Sequence, residues 1–284
     1  MDVAAFNRDG FIYPAGYLNT ERIKQLYFDH LINFSKSESK RSTTALTHYK
    51  LIDPSVNPHF YSQEVWNIIF NSTVTSNVLE LLGKDAVCIS STLIAKPPQS
   101  NIYVTPHQDR LYWGLDQAKG LSVWLAITNS NENNGCLRLI RGTHNQLYRH
   151  NHIQDAKNLT PLGEHIPLDE LKQKEEIILN LREGEYSIHD CNIVHYSLRN
   201  KSDMWRIGLV MRFTKLSALK ETYQQAKNYR PLEQYSNIPS SWKQPDRNFN
   251  YTRSELLRLS KPTRDYYRQL TNEHLELQKE SRPS

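Results

Sequence analysis

The stretch that decides the fold class reads AVCISSTLIA over residues 86–95. It is the first of a series of short β-prone runs that are separated by Gly, Pro and Asn. The later runs cover residues 102–105, 121–128, 136–140, 176–181, 185–187 and 207–213. No helical pattern lies between successive runs, so we expect an antiparallel sandwich or barrel and not a parallel sheet.

Helical patterns precede this β-rich region. After a β-prone start at Phe11-Ile12-Tyr13-Pro14, apolar residues recur at helical spacing from Asn19 to Leu31. A second pattern predicts one helix over residues 64–82, which Gly83 ends.

The region after Leu216 is rich in Lys, Arg, Gln, Asn and Tyr. Helical patterns over residues 254–259 and 264–275 predict helices outside the β-core, with a frayed end. We find no internal repeat or low-complexity linker. The sequence therefore predicts one domain over residues 1–284, with a core at about 6–214 and a polar helical C-terminal extension at 215–284.

Composition excludes several classes of protein. The chain has 284 residues, enough to bury a core without disulfides. Its three cysteines lie in apolar runs without metal-finger spacing, which indicates reduced residues of a cytoplasmic protein. No secretion signal or run of about 18 apolar residues is present, so we expect no membrane association. The net charge of +5 is scattered, which argues against a nucleic-acid partner. Composition leaves the oligomeric state open.

The strongest local signal is Thr105-Pro106-His107-Gln108-Asp109, which follows the apolar run at 102–104. His107 and Asp109 are two residues apart, so on an extended segment both side chains face one ion. Two histidines and one carboxylate form the facial triad of non-haem Fe(II) oxygenases, which leaves three coordination positions free. The pair alone is also compatible with a solvated turn.

A second segment, residues 184–197, offers the third ligand as His195. Arg206 follows eleven residues later and could bind a carboxylate with its guanidinium fork, as anchoring of 2-oxoglutarate requires. Ser197 shares the face of His195 and could add a hydroxyl hydrogen bond. His189 shares the same parity and is a rival third ligand, but the spacing to Arg206 favours His195.

These residues resemble the phytanoyl-CoA dioxygenase-like family of Fe(II)/2-oxoglutarate oxygenases, over about residues 6–214. The resemblance is carried by five motifs in the family's order: residues 6–11, 96–98, 107–115, 134–144 and 195–206. It implies a double-stranded β-helix (jelly-roll) core. It also implies Fe(II) on His107, Asp109 and His195, with 2-oxoglutarate and O2 as co-substrates and the distal carboxylate on Arg206 and Ser197.

Two positions depart from the family's pattern. Arg141-Gly142-Thr143-His144 stands where Pro-Gly-Ser-His is usual, and His195-Tyr196-Ser197 stands where His-Gly-Ser is common. Tyr196 points away from the ligand face of an extended segment, so it either fills core or reshapes the pocket. The substrate class stays open at this point.

Further candidates surround the predicted triad. Lys96 could meet the 2-oxoglutarate carboxylate or be a solvated strand residue. Trp124 could line the site or belong to the core. The loop 110–117 carries Arg110, Tyr112 and Trp113, which we expect to contact substrate, because loops beside a metal usually discriminate among substrates.

The resemblance implies a dioxygenase that hydroxylates a small-molecule metabolite, in secondary metabolism or elsewhere, with release of succinate and CO2. Desaturation, ring formation and alcohol oxidation would use the same residues. Halogenation is disfavoured because Asp109 fills the position that halide would need. The alternative from another class is a non-catalytic jelly-roll metal-binding sensor or scaffold.

Overall fold

The computed structural model describes residues 1–28, 58–60, 62–70, 72–113, 119–160 and 163–218. The predicted helices at 254–259 and 264–275, and the end of the predicted helix at 19–31, lie outside these ranges. Within the described part of the chain, no helix is long and apolar enough to cross a membrane.

Four helices and eleven strands make up the described fold, besides short 3₁₀ turns. In chain order they are α1 (Val3–Asp9), β1 (Phe11–Tyr17), α2 (residues 21–28), α3 (Gln63–Phe70), α4 (Thr73–Leu82), β2 (Ala86–Lys96), β3 (Val104–His107), β4 (Gly120–Ala126), β5 (Leu137–Ile140), β6 (Asn151–His152), β7 (Glu164–His165), β8 (Glu176–Ile178), β9 (Glu185–Asp190), β10 (His195–Ser197) and β11 (Arg206–Lys215).

The strands form two main antiparallel sheets. The five-stranded sheet has the order β1-β9-β4-β11-β2, the four-stranded sheet has the order β3-β10-β5-β8, and β6 and β7 form a separate ribbon. Neighbours in each sheet are mostly distant in sequence, so the chain passes repeatedly between sheets. The predicted mainly-β jelly-roll class is confirmed.

One surface of the five-stranded sheet, which we call the outer face, packs against the helices. It is formed by alternate residues of the central strands: Leu121, Val123, Leu125, Tyr186, Ile188, Leu209, Met211 and Phe213. They share one buried cluster with Val65, Trp66 and Ile69 of α3 and Val74 and Val78 of α4. Each such aliphatic side chain contributes about 1.5–3 kcal/mol when it is fully buried.

The opposite surface, the inner face, looks toward the four-stranded sheet. Its apolar members Phe11, Trp124, Ala126 and Val210 form a second cluster with residues of that sheet such as Leu139. It also carries a larger set of polar and charged residues than the outer face: Lys96, Thr92, Ser122, Ser187, His189, Arg206 and Arg212. The alternation of side chains along each strand thus separates an apolar surface from a polar one.

Two helix predictions need correction. The predicted helix over 64–82 is two helices, because Ser72 ends the first and caps the second. Its hydroxyl accepts from the backbone of Val74 and donates to the carbonyl of Ile68. α1 was not predicted; it begins at Asp2, whose carboxylate accepts from the backbone of Ala5, and it ends at Gly10 in the left-handed region.

Candidate metal centre

His107 and His195 lie opposite each other on neighbouring strands of the four-stranded sheet. His107 ends β3, His195 begins β10, and the two are paired across the strands. Each Nδ1 is within hydrogen-bond distance of a backbone oxygen two residues earlier, 2.8 Å for His107 with Thr105 and 3.1 Å for His195 with Ile193. A carbonyl partner makes each Nδ1 the donor, so Nε2 is the nitrogen that can act as the metal ligand.

Asp109 completes the cluster from the first residue of the 3₁₀ turn Asp109–Tyr112. Its Oδ1 lies 3.5 Å from Nε2 of His107 and 3.8 Å from Nε2 of His195. The three residues are buried, and their ligand atoms all lie within 4.8 Å of one another. The structure therefore brings together the three residues that the sequence spacing selected.

The protonation states suit a divalent metal. Burial, together with the neighbouring His107, holds the pKa of His195 well below its usual value. Burial opposes ionisation of Asp109, but His195, the hydrogen bond with His107 and the charge of Arg212 outweigh it, so the pKa of Asp109 is also well below its usual value. A neutral imidazole and an ionised carboxylate are the forms that bind metal.

His189, the rival third ligand, lies beside the cluster and not within it. Its ring centroid is 4.9 Å from that of His195. Within the described residues, neither of its ring nitrogens has a hydrogen-bond partner. The Nε2 of His144 lies 3.1 Å from the backbone oxygen of Asn7, and His144 is not part of the cluster.

Lys96 and Arg206 form a buried cationic pair on the inner face of the five-stranded sheet. They are paired across β2 and β11 and are 0% and 2% exposed. The Lys96 Nζ donates to the Ser197 hydroxyl at 2.7 Å and to the carbonyl of Leu198. Burial and the charge of Arg206 lower the pKa of Lys96, and burial lowers that of Arg206 to about 10.

This pair lacks a neutralising group in the described part of the protein. No carboxylate there forms an ion pair with either cation, and Arg206 Nε has no hydrogen-bond partner. Buried charges are costly unless they are paired, so the arrangement fits a site that takes its anion from a ligand. Lys96 is not a solvated edge residue, because β2 is fully buried at that point.

Trp124 lies between the cationic pair and the triad. The guanidinium of Arg206 is 5.6 Å from its ring centroid, and a Cβ on Gly208 would lie 2.3 Å from the indole. Glycine at 208 is thus required for the indole to lie along the inner face. Trp124 belongs both to the core cluster and to the surface that joins the two ends of the site.

The predicted substrate loop is only partly described. Residues 114–118 and the side chain of Tyr112 lie outside the described part. Arg110 is half-buried, and its backbone N–H donates to the carbonyl of Cys191 at 3.1 Å. Trp113 is buried against Gly120 at the start of β4, so it packs on the inner face at that end of the strand.

Tyr196 lies on the surface of the four-stranded sheet that faces away from the triad. It packs with Ile140, Ile166 and Val194, and its hydroxyl donates to Glu176. Of the two readings of this departure from the family pattern, the structure supports core filling.

Three polar residues around the triad, Gln108, Ser122 and Arg212, were not singled out as site residues, and His189 was considered only as a metal ligand. The Gln108 side chain donates to the carbonyls of Gln146 and Asn192 and thereby ties together the loops beside the ligands. Ser122 and Arg212 contact Asp109, and His189 contacts His195. A lone polar residue within an apolar strand, as in LSVWLA at 121–126 and LVMRF at 209–213, was the available signal.

Comparison with known proteins points to the same family as the sequence motifs. The family described as phytanoyl-CoA dioxygenase (PhyH) matches residues 6–208. Phytanoyl-CoA dioxygenase 1 of Oryza sativa subsp. japonica is 29% identical over 140 residues, which are 49% of this chain and 49% of that protein. The chain thus spans about half the length of the curated relatives it matches.

Solved structures show the same fold at low identity. The non-haem monooxygenase ThoJ in its apo form superposes with a TM-score of 0.68 at 18% identity, covering 95% of this chain and 99% of that one. EctD from S. alaskensis, solved with 2-oxoglutarate and 5-hydroxyectoine, superposes with a TM-score of 0.60 at 19% identity, covering 77% of each chain.

Proposed function

The chain belongs to the phytanoyl-CoA dioxygenase family, and we propose that it is an Fe(II)- and 2-oxoglutarate-dependent dioxygenase that oxidises a small-molecule metabolite. The observation that carries the proposal is the combination of two features between the two sheets. A three-ligand cluster that could hold a metal lies on one sheet, and a buried cationic pair, which has no ion-paired carboxylate among the described residues, lies on the other. A 2-oxoglutarate dianion has one end for each.

The residues divide the work as follows. His107, Asp109 and His195 would hold the iron, which fits because two imidazoles and one carboxylate are the donor set of Fe(II) oxygenases. When bound, Fe(II) supplies the activation of O2 that accompanies decarboxylation of 2-oxoglutarate to succinate and CO2. Arg206 and Ser197 would bind the distal carboxylate of 2-oxoglutarate, and Lys96, whose Nζ donates to the Ser197 hydroxyl, would orient that hydroxyl and add positive charge.

Substrate binding is assigned to the groups around the opening of the site. We infer that Arg110, Tyr112 and Trp113 contact substrate, and that Trp124, which lies beside Arg206, also lines the site. We expect hydroxylation, and a biosynthetic pathway is one setting for it. Desaturation, ring formation and alcohol oxidation would use the same residues. The three buried free cysteines support a cytoplasmic location.

The non-catalytic alternative explains less of the site. A jelly-roll sensor or scaffold that binds only a metal has no use for the cationic pair, since leaving two such groups buried without an anion costs stability. The pair has a purpose if an anionic co-substrate binds there.

The test is release of labelled succinate from 2-oxoglutarate by the full-length, Fe(II)-loaded chain. Uncoupled turnover without substrate gives a slow signal, which a screened metabolite should accelerate. Asp109→Ala is the control and should abolish release, because it removes the only carboxylate of the triad. Metal binding by the wild type without any succinate release would favour the sensor.

A further inference from the structure

We propose that Ser122 is a positioning residue that holds the second oxygen of Asp109, so that the carboxylate offers only Oδ1 to the metal. The inference rests on the proposed function, because it concerns how many metal positions the protein leaves free. Ser122 does not itself reach the two histidines; it acts through Asp109.

The two oxygens of Asp109 have different surroundings. Oδ1 faces Nε2 of both histidines, at 3.5 and 3.8 Å. Oδ2 points to the five-stranded sheet and accepts a 2.8 Å hydrogen bond from the Ser122 hydroxyl. Hydrogen bonds that include an ionised group are stronger than neutral ones, so this contact fixes the rotation of the carboxylate.

Ser122 is held firmly enough for this role. It is 0% exposed in the middle of β4, paired with His189 of β9 on one side and Arg212 of β11 on the other. A strand with partners on both sides cannot move without breaking two ladders. The hydroxyl therefore projects from a fixed backbone toward Asp109, which lies in the 3₁₀ turn that follows β3 of the four-stranded sheet.

Arg212 adds charge and not a hydrogen bond. Its Nε is 3.7 Å from the same Oδ2, and its Nη1 donates to Thr92 at 3.2 Å. Its guanidinium favours the ionised carboxylate, but 3.7 Å is too long for a directional bond. Among the described residues, Ser122 is thus the side chain whose hydrogen bond orients Oδ2.

The consequence concerns coordination number. Three protein ligands that each give one atom leave three of six positions, and the proposed reaction needs all three, two for 2-oxoglutarate and one for O2. A carboxylate that bound through both oxygens would take one of them. By occupying Oδ2, Ser122 keeps the third position available.

A pair of matched variants tests this role. Ser122→Ala and Ser187→Ala each remove one fully buried hydroxyl from the inner face, on adjacent strands. The Ser187 hydroxyl has no hydrogen-bond partner among the described residues. Its loss therefore removes the same atom from the packed interior but no hydrogen bond to Asp109. Co(II) serves as the probe, because its visible absorption reports ligand number and geometry.

Full-length Ser122→Ala should bind Co(II) at least about tenfold more weakly than wild type, as is typical when a group that orients a ligand is removed. Its Co(II) spectrum should also change shape, since Oδ2 becomes free to bind. Ser187→Ala should keep the wild-type affinity and spectrum. Ser122→Val also removes the hydroxyl but fills the space with two methyl groups, so it should shift both readouts in the same direction, and it replaces Ser122→Ala if that variant does not fold.

The inference would be overturned if Ser122→Ala, or Ser122→Val in its place, showed the same Co(II) affinity and spectrum as Ser187→Ala. Failure of the proposed function looks different. If His107→Ala binds Co(II) as the wild type does, the triad is not the metal site at all. If Co(II) binding depends on the triad but is unchanged when Ser122 is replaced, only the positioning role of Ser122 is rejected.

Discussion

The two faces of the five-stranded sheet are built from the same strands and are buried to a similar degree, yet they differ in chemistry. The outer face presents Leu, Val, Ile, Met and Phe to the helices. The inner face presents serines, a histidine and three cations to the site. Adjacent residues thus have different roles: Leu125 contributes to stability, and Trp124 to the proposed binding of ligands.

The inner face gives up stability for this capacity. Arg206 Nε, the Ser187 hydroxyl and both ring nitrogens of His189 are buried without partners among the described residues. Each such group left unpaired costs about 1–3 kcal/mol. The outer face, which is closely packed and mostly apolar, must offset that cost. Substitutions on the two faces should therefore separate stability from ligand binding.

The largest effect on stability is expected for Leu125→Ala on the outer face. Leu125 is fully buried between Leu209 and Tyr186, so truncation should lower the free energy of unfolding by about 2–5 kcal/mol. Chemical denaturation measures this change. Co(II) affinity of the folded fraction should be unchanged, and a loss of affinity without a loss of stability would show that the two faces are not independent.

The counterpart on the inner face is Arg206→Gln. Removing one partner of a desolvated charge pair costs about 2–5 kcal/mol of binding, so the apparent dissociation constant for 2-oxoglutarate should rise about thirtyfold or more. Metal affinity should survive. Arg212→Gln is the matched control, since it removes an arginine from the same strand and face, and its effect on 2-oxoglutarate should be much smaller. Equal effects of the two would refute the assignment of the clamp to Arg206.

A third test concerns stability at acid pH and a residue that contacts the outer face. His59 lies in the 3₁₀ turn Pro58–Phe60 with its Nδ1 2.6 Å from the Ser91 hydroxyl, and burial lowers its pKa to about 3. The unfolded chain takes up a proton near pH 6.5 and the folded chain does not until about pH 3, so stability falls as the pH decreases through that window.

At pH 5 the expected loss from His59 is about 2 kcal/mol, from 1.36 kcal/mol per pKa unit. His59→Asn keeps a polar partner for Ser91 and should flatten the dependence of stability on pH between 7 and 5. The measurement is urea denaturation at both pH values. The same slope in wild type and variant would mean that other groups dominate acid sensitivity.

Strand alternation and spacing explain why so much of the site was predictable. His107 and Asp109, and likewise His195 and Ser197, are two residues apart, and extended segments place such pairs on one side whatever the surrounding fold. The contact of Ser122 with Asp109 was not predictable in this way, because it depends on which strand of one sheet faces a turn of the other. The break of the predicted 64–82 helix depends on Ser72 taking up a cap, which an apolar repeat does not reveal.

The smallest expected effect comes from His189→Leu, and it is the sharpest test of what the inner face is for. His189 is buried beside His195 with both ring nitrogens unpartnered in the described structure. Leucine has a similar volume and removes the unpaired polar group, so the free energy of unfolding should stay level or rise by about 1 kcal/mol. Co(II) affinity should be unchanged, whereas His195→Leu should lose it. If the rate of succinate release with a substrate falls in His189→Leu while Co(II) affinity and stability hold, His189 contacts the substrate. The inner face would then have kept an unpaired imidazole because a ligand pairs with it, as proposed for Arg206 and 2-oxoglutarate.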